Sequence, residues 1–140
     1  MARWIKRTLD IAPEFRDIDM MGVVHNCVYF TWFERGRLQV MDDIVTFEKA
    51  GELGIAIPVR KTECSYEIPV RLGDKLTLIT KHRVDDKYAG KLEFTHELVN
   101  NVTKAVHAAG SCTCTIIETK TGKLLRDWNN ELWAHYSKIK

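Results

Sequence analysis

The sequence predicts an α+β domain in which an antiparallel sheet curves around one buried helix, and three observations carry that prediction. The stretch from Cys27 towards Ile44 is apolar nearly all round in its first half, as a helix buried on most sides must be. Four or five later segments alternate apolar with polar residues, the period of a half-buried strand. A chain of 140 residues, 45% hydrophobic and 29% charged, suits one domain spanning 1–140 around a single core.

Taken in order, the first element is a strand from about Trp4 to Ala12, with Ile5, Leu9 and Ile11 on one side and Lys6, Thr8 and Asp10 on the other. Pro13 restricts its continuation, and Arg16 to Val24 reads as an ordered loop. Asn26 is a good N-cap for the long helix, whose apolar stripe runs Tyr29, Phe33, Gly36, Val40, Ile44. A glycine inside a helix costs roughly 1 kcal/mol relative to alanine, so Gly36 predicts close backbone approach to another element. A second short helix spans about Ile44 to Ala50 and stops at Gly51.

Strands follow at Ile57–Tyr66, at Lys75–Val84 after a Leu72-Gly73-Asp74 turn, at Leu92–Leu98 and at Ala105–Glu118. In the last of these, Val106, Ala108, Gly110, Cys112, Cys114 and Ile116 share a face. A short edge strand at Leu124–Trp128 and a terminal helix at Glu131–Ile139 complete the reading.

Composition excludes several function classes. The formal net charge is +2 with the two signs interspersed, which argues against a nucleic-acid or anionic-membrane binder. No apolar run reaches the ~18–20 residues that cross a bilayer, and Lys6, Arg7 and Asp10 interrupt any signal-peptide core. A cytoplasmic address is therefore expected. Cys27, Cys64, Cys112 and Cys114 then stay reduced rather than forming a disulfide frame. His25-x-Cys27 and Cys112-x-Cys114 lack the ligand spacing of structural zinc, so no metal is expected. His82 and His96 read as core or interface histidines. Arg60, Lys61, Lys81, Arg83, Lys87 and Lys91 suit either coenzyme phosphates or a solvated sheet face. There is neither a phosphate-cradling glycine loop nor a serine nucleophile elbow.

The segment that carries chemistry is Asp17-Ile18-Asp19-Met20-Met21-Gly22-Val23-Val24-His25-Asn26, leading straight into the apolar helix. Unpaired N–H groups at a helix start can hold a carbonyl oxygen as it becomes an oxyanion, while a carboxylate attacks or activates water. The plainer alternative is that both aspartates only cap turns.

This segment resembles the signature of the hot-dog-fold thioesterases, the class that includes 4-hydroxybenzoyl-CoA thioesterase and the acyl-CoA thioesterases of the Tol-Pal cluster. The matching positions are Asp17, Asp19, Gly22, Val23, Val24, Tyr29, Phe33, Glu34 and Arg37. A second match covers Glu63-Cys64-Ser65-Tyr66 and Pro69-Val70-Arg71-Leu72-Gly73-Asp74, so the resemblance spans nearly the whole chain. It implies a hot-dog fold and hydrolysis of an acyl-CoA or aroyl-CoA thioester, with no cofactor beyond the coenzyme A of the substrate. By position, Asp19 takes the catalytic carboxylate and the backbone near Asn26 the oxyanion donor. Asp17, Gly22, His25, Tyr29 and Tyr66 become substrate-binding candidates, and a homodimer or homotetramer with the site at a subunit interface is expected.

The chain departs from relatives at His25-Asn26 and at Val28. In the acyl-carrier branch of the fold the motif histidine falls on Val23, so His25 inherits no catalytic role by position; substrate contact and a structural loop role both stay open. The rivals are a non-catalytic acyl-CoA sensor of the same fold and a hydratase or dehydratase. The intact Asp19 speaks against the first, and the missing histidine-centred motifs speak against the second.

Overall fold

The computed structural model describes residues 3–84, 90–126 and 130–139. Strand β1 (Arg3–Ile11) leads through a 3-10 turn at Phe15–Asp17 into helix α1 (Val28–Ile44), followed by α2 (Phe47–Leu53). Then come β2 (Ile55–Ala56), β3 (Val59–Tyr66), β4 (Leu76–Val84), β5 (Leu92–Asn100), β6 (Val106–Cys114), β7 (Ile117–Glu118) and α3 (Asn130–Tyr136). The main sheet is antiparallel in the order β1-β4-β5-β6-β3, with β2 and β7 forming a separate ribbon. It is the hot-dog arrangement, one long helix packed against the sheet, that the motifs imply.

One face of each central strand is dry because its alternate residues are apolar. Leu76, Leu78 and Val84 of β4 and Leu92, Phe94 and Leu98 of β5 are all buried against the helix side. Helix α1 presents Tyr29, Trp32, Phe33, Val40 and Ile44 to them. The core falls into two apolar clusters, one around the first half of α1 and one around the second. Between them runs a row of small and polar residues across three strands, since Thr80 pairs with His96 and His96 with Gly110. Thr80 Oγ1 lies 2.9 Å from His96 Nδ1, and the His96 ring stacks on Phe33 with centroids 4.6 Å apart. Burial pushes the His96 imidazole down to about 4, so it stays neutral in this dry layer.

At this row the helix comes closest to the sheet. A Cβ on Gly36 would overlap Thr80 Oγ1 and stand 2.8 Å from Leu78 Cδ2, and a Cβ on Gly110 would meet Phe33 Cε2 at 2.5 Å. Gly36 is thus required for the approach its sequence position predicts. Gly36→Ala recovers up to about 1 kcal/mol of helix propensity. It also forces Thr80 off its bond to His96 in a core where overpacking costs about 1–3 kcal/mol. The expected result is a net loss of roughly 1–2 kcal/mol, seen as a drop of several degrees in Tm by calorimetry.

Several boundaries differ from those the sequence predicts. Asn26 is not the helix cap: Cys27 holds that position with near-helical angles (φ −70, ψ −23) and no side-chain cap bond. The turn is closed instead by the backbone, Val28 N–H to His25 O at 3.1 Å. Helix α2 starts later and ends later than Ile44–Ala50, because Val45 is extended and Thr46 Oγ1 caps Lys49 N–H. It stops at Gly54, whose φ of +67 suits glycine, while Gly51 lies inside the helix.

The strand expected from Ile57 begins two residues later, at Val59 after Pro58, and the short β2 precedes the expected start. Leu124 makes only an isolated bridge with Ile117 rather than opening a strand; the rest of that expected strand, from 127 on, lies outside the described residues. Val106 is partly exposed where a register shift interrupts the β5–β6 ladder. The terminal helix is shorter than Glu131–Ile139. It is tied to the sheet by Tyr136 Oη, 2.9 Å from His82 Nε2, while His82 Nδ1 lies 2.7 Å from Glu93 O. Among the described residues, no helix is long and apolar enough to cross a membrane.

Candidate active site

The loop between β1 and α1 is built by its two aspartates, each using its oxygens on nearby backbone. Asp17 Oδ2 accepts the Glu14 N–H at 2.8 Å, and the Asp17 carbonyl accepts the His25 N–H at 2.8 Å. Asp17 therefore shapes the loop. Asp19 Oδ1 accepts the Met21 N–H at 2.8 Å and, more weakly, the Val23 N–H at 3.4 Å. Its own N–H donates to Val23 O, and Gly22 N–H donates to its carbonyl. This tight reversal needs the left-handed φ of +78 that Gly22 supplies. Asp19 Oδ2 has no partner among the described residues. One oxygen of the half-buried carboxylate is thus anchored and the other is available for chemistry.

Asp19 borders a pocket of about 460 Å3 together with Met21, Val23, Val24, His25, Asn26, Tyr66 and Pro69. The volume lies within the usual range for a small-molecule site. Opposite the loop, Tyr66 at the end of β3 donates its hydroxyl to the Asn26 carbonyl at 2.9 Å. Desolvation, with the Cys64 thiol adding to it, pushes the Tyr66 phenol up to about 12, so it remains a donor. That bond holds the Asn26–Cys27 peptide, whose N–H is that of Cys27, through its carbonyl. The N–H groups of Asn26 and Cys27 donate to no acceptor among the described residues. They are the unpaired donors of a helix start.

Of the residues the sequence singles out, the structure brings Asp19, His25, Asn26 and Tyr66 together around one cavity. Asp17, Gly22 and Tyr29 stand behind its wall. Tyr29 is 3% exposed and reaches the pocket only through Tyr66, whose ring it meets edge-on at 4.9 Å between centroids. Burial raises its phenol as well. Met21, Val23, Val24 and Pro69 also line the pocket, and the Val24 N–H donates to Val70 O. That bond joins the loop to the segment after β3, so the two sequence motifs form one site. The only signal for these lining residues was their membership of those motifs.

The other titratable groups serve elsewhere. Lys61 pairs with Glu63 and Lys91 with Glu93, as ordinary exposed ion pairs. Cys112 Sγ accepts from Arg37 Nη1 at 3.4 Å and lies 3.7 Å from Cys114 Sγ. Among the described residues, no three His, Cys, Asp or Glu side chains converge as a metal site.

A model of the thioesterase-like superfamily matches residues 13–132 of this sequence. The chain belongs to that superfamily. That membership supports thioester hydrolysis as its general activity. The thioesterase is 23% identical over 126 residues to a putative acyl-CoA thioesterase of Bacillus subtilis, covering 86% of this chain and 90% of that one. It is 27% identical over 81 residues to a chloroplastic acyl-acyl carrier protein thioesterase of Arabidopsis thaliana; that match covers 57% of this chain but only 42% of the plant protein. Its fold superposes on a DHNA-CoA thioesterase from Staphylococcus aureus with a TM-score of 0.77 and 23% identity, covering 96% and 90% of the two chains.

Proposed function

We propose that this thioesterase hydrolyses an acyl-CoA or aroyl-CoA ester, with Asp19 as the catalytic carboxylate and the Asn26 N–H as oxyanion donor. The observation that carries the reading is the division of labour within Asp19. Oδ1 is held by two backbone donors while Oδ2 has no partner among the described residues, and Asp19 borders a cavity of about 460 Å3 lined otherwise by Asn26, His25, Tyr66 and apolar side chains.

The substrate carbonyl oxygen is received by the Asn26 N–H, which lies one peptide before the Asn26–Cys27 unit whose carbonyl Tyr66 holds. Oδ2 then either attacks the carbonyl carbon or takes a proton from an attacking water. In the first course the C–S bond breaks, coenzyme A leaves as its thiolate, which takes a proton from solvent, and water cleaves the resulting anhydride and releases one. In the second the water oxygen bonds to the carbonyl carbon, the C–S bond breaks as that adduct collapses, and the proton taken by Oδ2 passes to the leaving thiolate. Both end in free acid and CoA.

The site also calls for a second copy of the chain. Strand β3 is an open edge and is exposed along most of its length, and it ends at Tyr66 in the pocket wall. An antiparallel two-fold pairing centred on Thr62 would satisfy that edge and set Lys61 across from Glu63 of the partner subunit. The assembly is then a homodimer or a pair of such dimers, acting in the cytoplasm where acyl-CoA is made and used. A panel of acyl-CoA and aroyl-CoA thioesters read by thiol release, run beside light scattering at micromolar concentration, tests both parts. Thiol release from a dimer or tetramer is expected. A fully active monomer refutes the assembly, and tight acyl-CoA binding without release replaces the enzyme by a sensor.

A further inference from the structure

Cys112 and Cys114 stand two residues apart at the end of β6, on one face of the strand, with their sulfurs 3.7 Å apart. Both are buried, at 1% and 0% exposure. Thiols often fill a core as small apolar groups, but this pair has a cation beside it. Arg37 Nη1 donates to Cys112 Sγ at 3.4 Å, while Glu34 faces the same guanidinium at 3.8 Å, beyond hydrogen-bond reach. The Arg37 side chain is only 12% exposed. A guanidinium held this far from water calls for an anionic partner. A thiolate at Cys112 supplies one; a neutral thiol accepts only weakly.

The two sulfurs are also unequal. With the Cys114 S–H donating to it and Arg37 beside it, the Cys112 thiol is lowered from its ordinary range. The same bond, together with burial, raises Cys114. One sulfur is thus a nucleophile and its neighbour holds the proton. The ladder beside them is already irregular. Val59 of β3 pairs with Cys114 and Lys61 with Thr113, so Arg60 between them is an extra residue opposite the pair. Closing the sulfurs from 3.7 Å to the about 2.0 Å of a covalent bridge needs a local bend, and it falls at a strand end next to that bulge.

We infer that Cys112 and Cys114 form a redox-modification site, a dithiol that a hydroperoxide closes reversibly to an intramolecular disulfide. Burial selects the oxidant class. Arg37 borders both the cavity between α1, α2 and β2 and the groove between α1 and β3, so a water-sized peroxide can reach the sulfur that its guanidinium touches. A bulky disulfide oxidant cannot. The Cys112 thiolate attacks one peroxide oxygen, the O–O bond breaks, and the departing hydroxide takes a proton from solvent. The Cys114 sulfur then attacks the sulfenic sulfur, the S–O bond breaks, and the second oxygen leaves as water with the Cys114 proton. The two sulfurs lose two electrons and the peroxide becomes two waters. A small thiol reductant returns two electrons and two protons on reopening.

The sequence makes the test direct, because cleavage after Lys104 and Lys120 releases both cysteines in one peptide, residues 105–120, apart from Cys27 and Cys64. Native protein is treated with hydrogen peroxide, blocked with N-ethylmaleimide in denaturant, digested and weighed. The peptide should come out unlabelled and two hydrogens lighter while exposed Cys27 still takes label, and dithiothreitol should restore both labels. Cys114→Ser should stop Cys112 at the sulfenic acid, captured by dimedone. Cys112→Ser should leave Cys114 labelled. Arg37→Gln should slow bridging several-fold and Arg37→Lys, which keeps the charge, should recover most of the rate, with Tm checking each fold.

Retention of both labels after Cys27 has been oxidised overturns the inference. So does a bridge between two chains, seen as a doubled mass without reductant. Equal rates for wild type and a folded Arg37→Gln would also overturn it, since the thiolate would then owe nothing to the guanidinium. None of these readouts involves thioester turnover, so the site stands or falls apart from the role proposed for Asp19.

Discussion

Asp19→Asn should abolish thioester hydrolysis by several orders of magnitude in kcat while leaving the fold and Tm close to wild type. The amide oxygen of asparagine can keep both backbone bonds that Asp19 Oδ1 makes, to Met21 and Val23, so the loop retains its shape. What changes is the group at the Oδ2 position, which becomes an amide nitrogen with neither nucleophilic nor basic character. The matched control is Asp17→Asn. The oxygen that accepts Glu14 N–H can likewise be kept there, and Asp17 stands behind the pocket wall, so its effect on kcat should be small. Steady-state thiol release on the best thioester of the panel, with calorimetric Tm for each variant, measures both. Equal turnover for Asp19→Asn and wild type would end the assignment of this carboxylate.

Asn26→Pro should lower kcat by about a hundred- to thousandfold, the usual cost of removing one oxyanion donor. Proline deletes the N–H, and it also fixes φ, restricts His25 and removes the amide side chain beside the pocket, so the fold is checked in parallel. The Asn26 N–H has no acceptor among the described residues, and its carbonyl, which receives the Tyr66 hydroxyl, is retained. Proline is also tolerated beside a helix start, where an N–H is unpaired in any case. Circular dichroism checks that α1 survives. A non-hydrolysable thioether analogue, which lacks the carbonyl, should bind the variant within several-fold of wild type. A fall in analogue binding as large as the fall in turnover would show that the substitution damages the pocket rather than the oxyanion site, and the role given to this N–H would be withdrawn. Cys27→Pro is a weaker probe, because it leaves the Asn26 donor in place.

In the proposed reading both effects come from placement: a carboxylate anchored through one oxygen, and an unpaired N–H next to a peptide that Tyr66 holds through its carbonyl. Such preorganised groups need little rearrangement as charge develops on the substrate. The placement is cooperative, since the Val24 N–H to Val70 O bond ties the Asp19 loop to the segment that carries Tyr66 and Pro69.

The sequence alone determined the class of fold, because hydrophobic period is a local property that follows directly from which face is buried. It also singled out the loop that the structure places at the candidate site, and it marked Gly36 as a point of close approach, since an unforced glycine inside a helix has a cost that only packing explains. Where it misplaced elements, a hydrogen bond that residue type alone does not reveal decided the outcome. Asn26 is a favourable cap by residue type, yet its carbonyl is drawn to Tyr66, forty positions away, and the helix begins one residue later. Gly51 looks like a stop signal, but the Thr46 cap shifts α2 onward and Gly54 ends it. Tertiary structure alone put Asp19, His25, Asn26 and Tyr66 around one cavity and left Asp17, Gly22 and Tyr29 out of its lining, because that cavity forms only where the end of β3 meets a loop forty positions earlier in the chain.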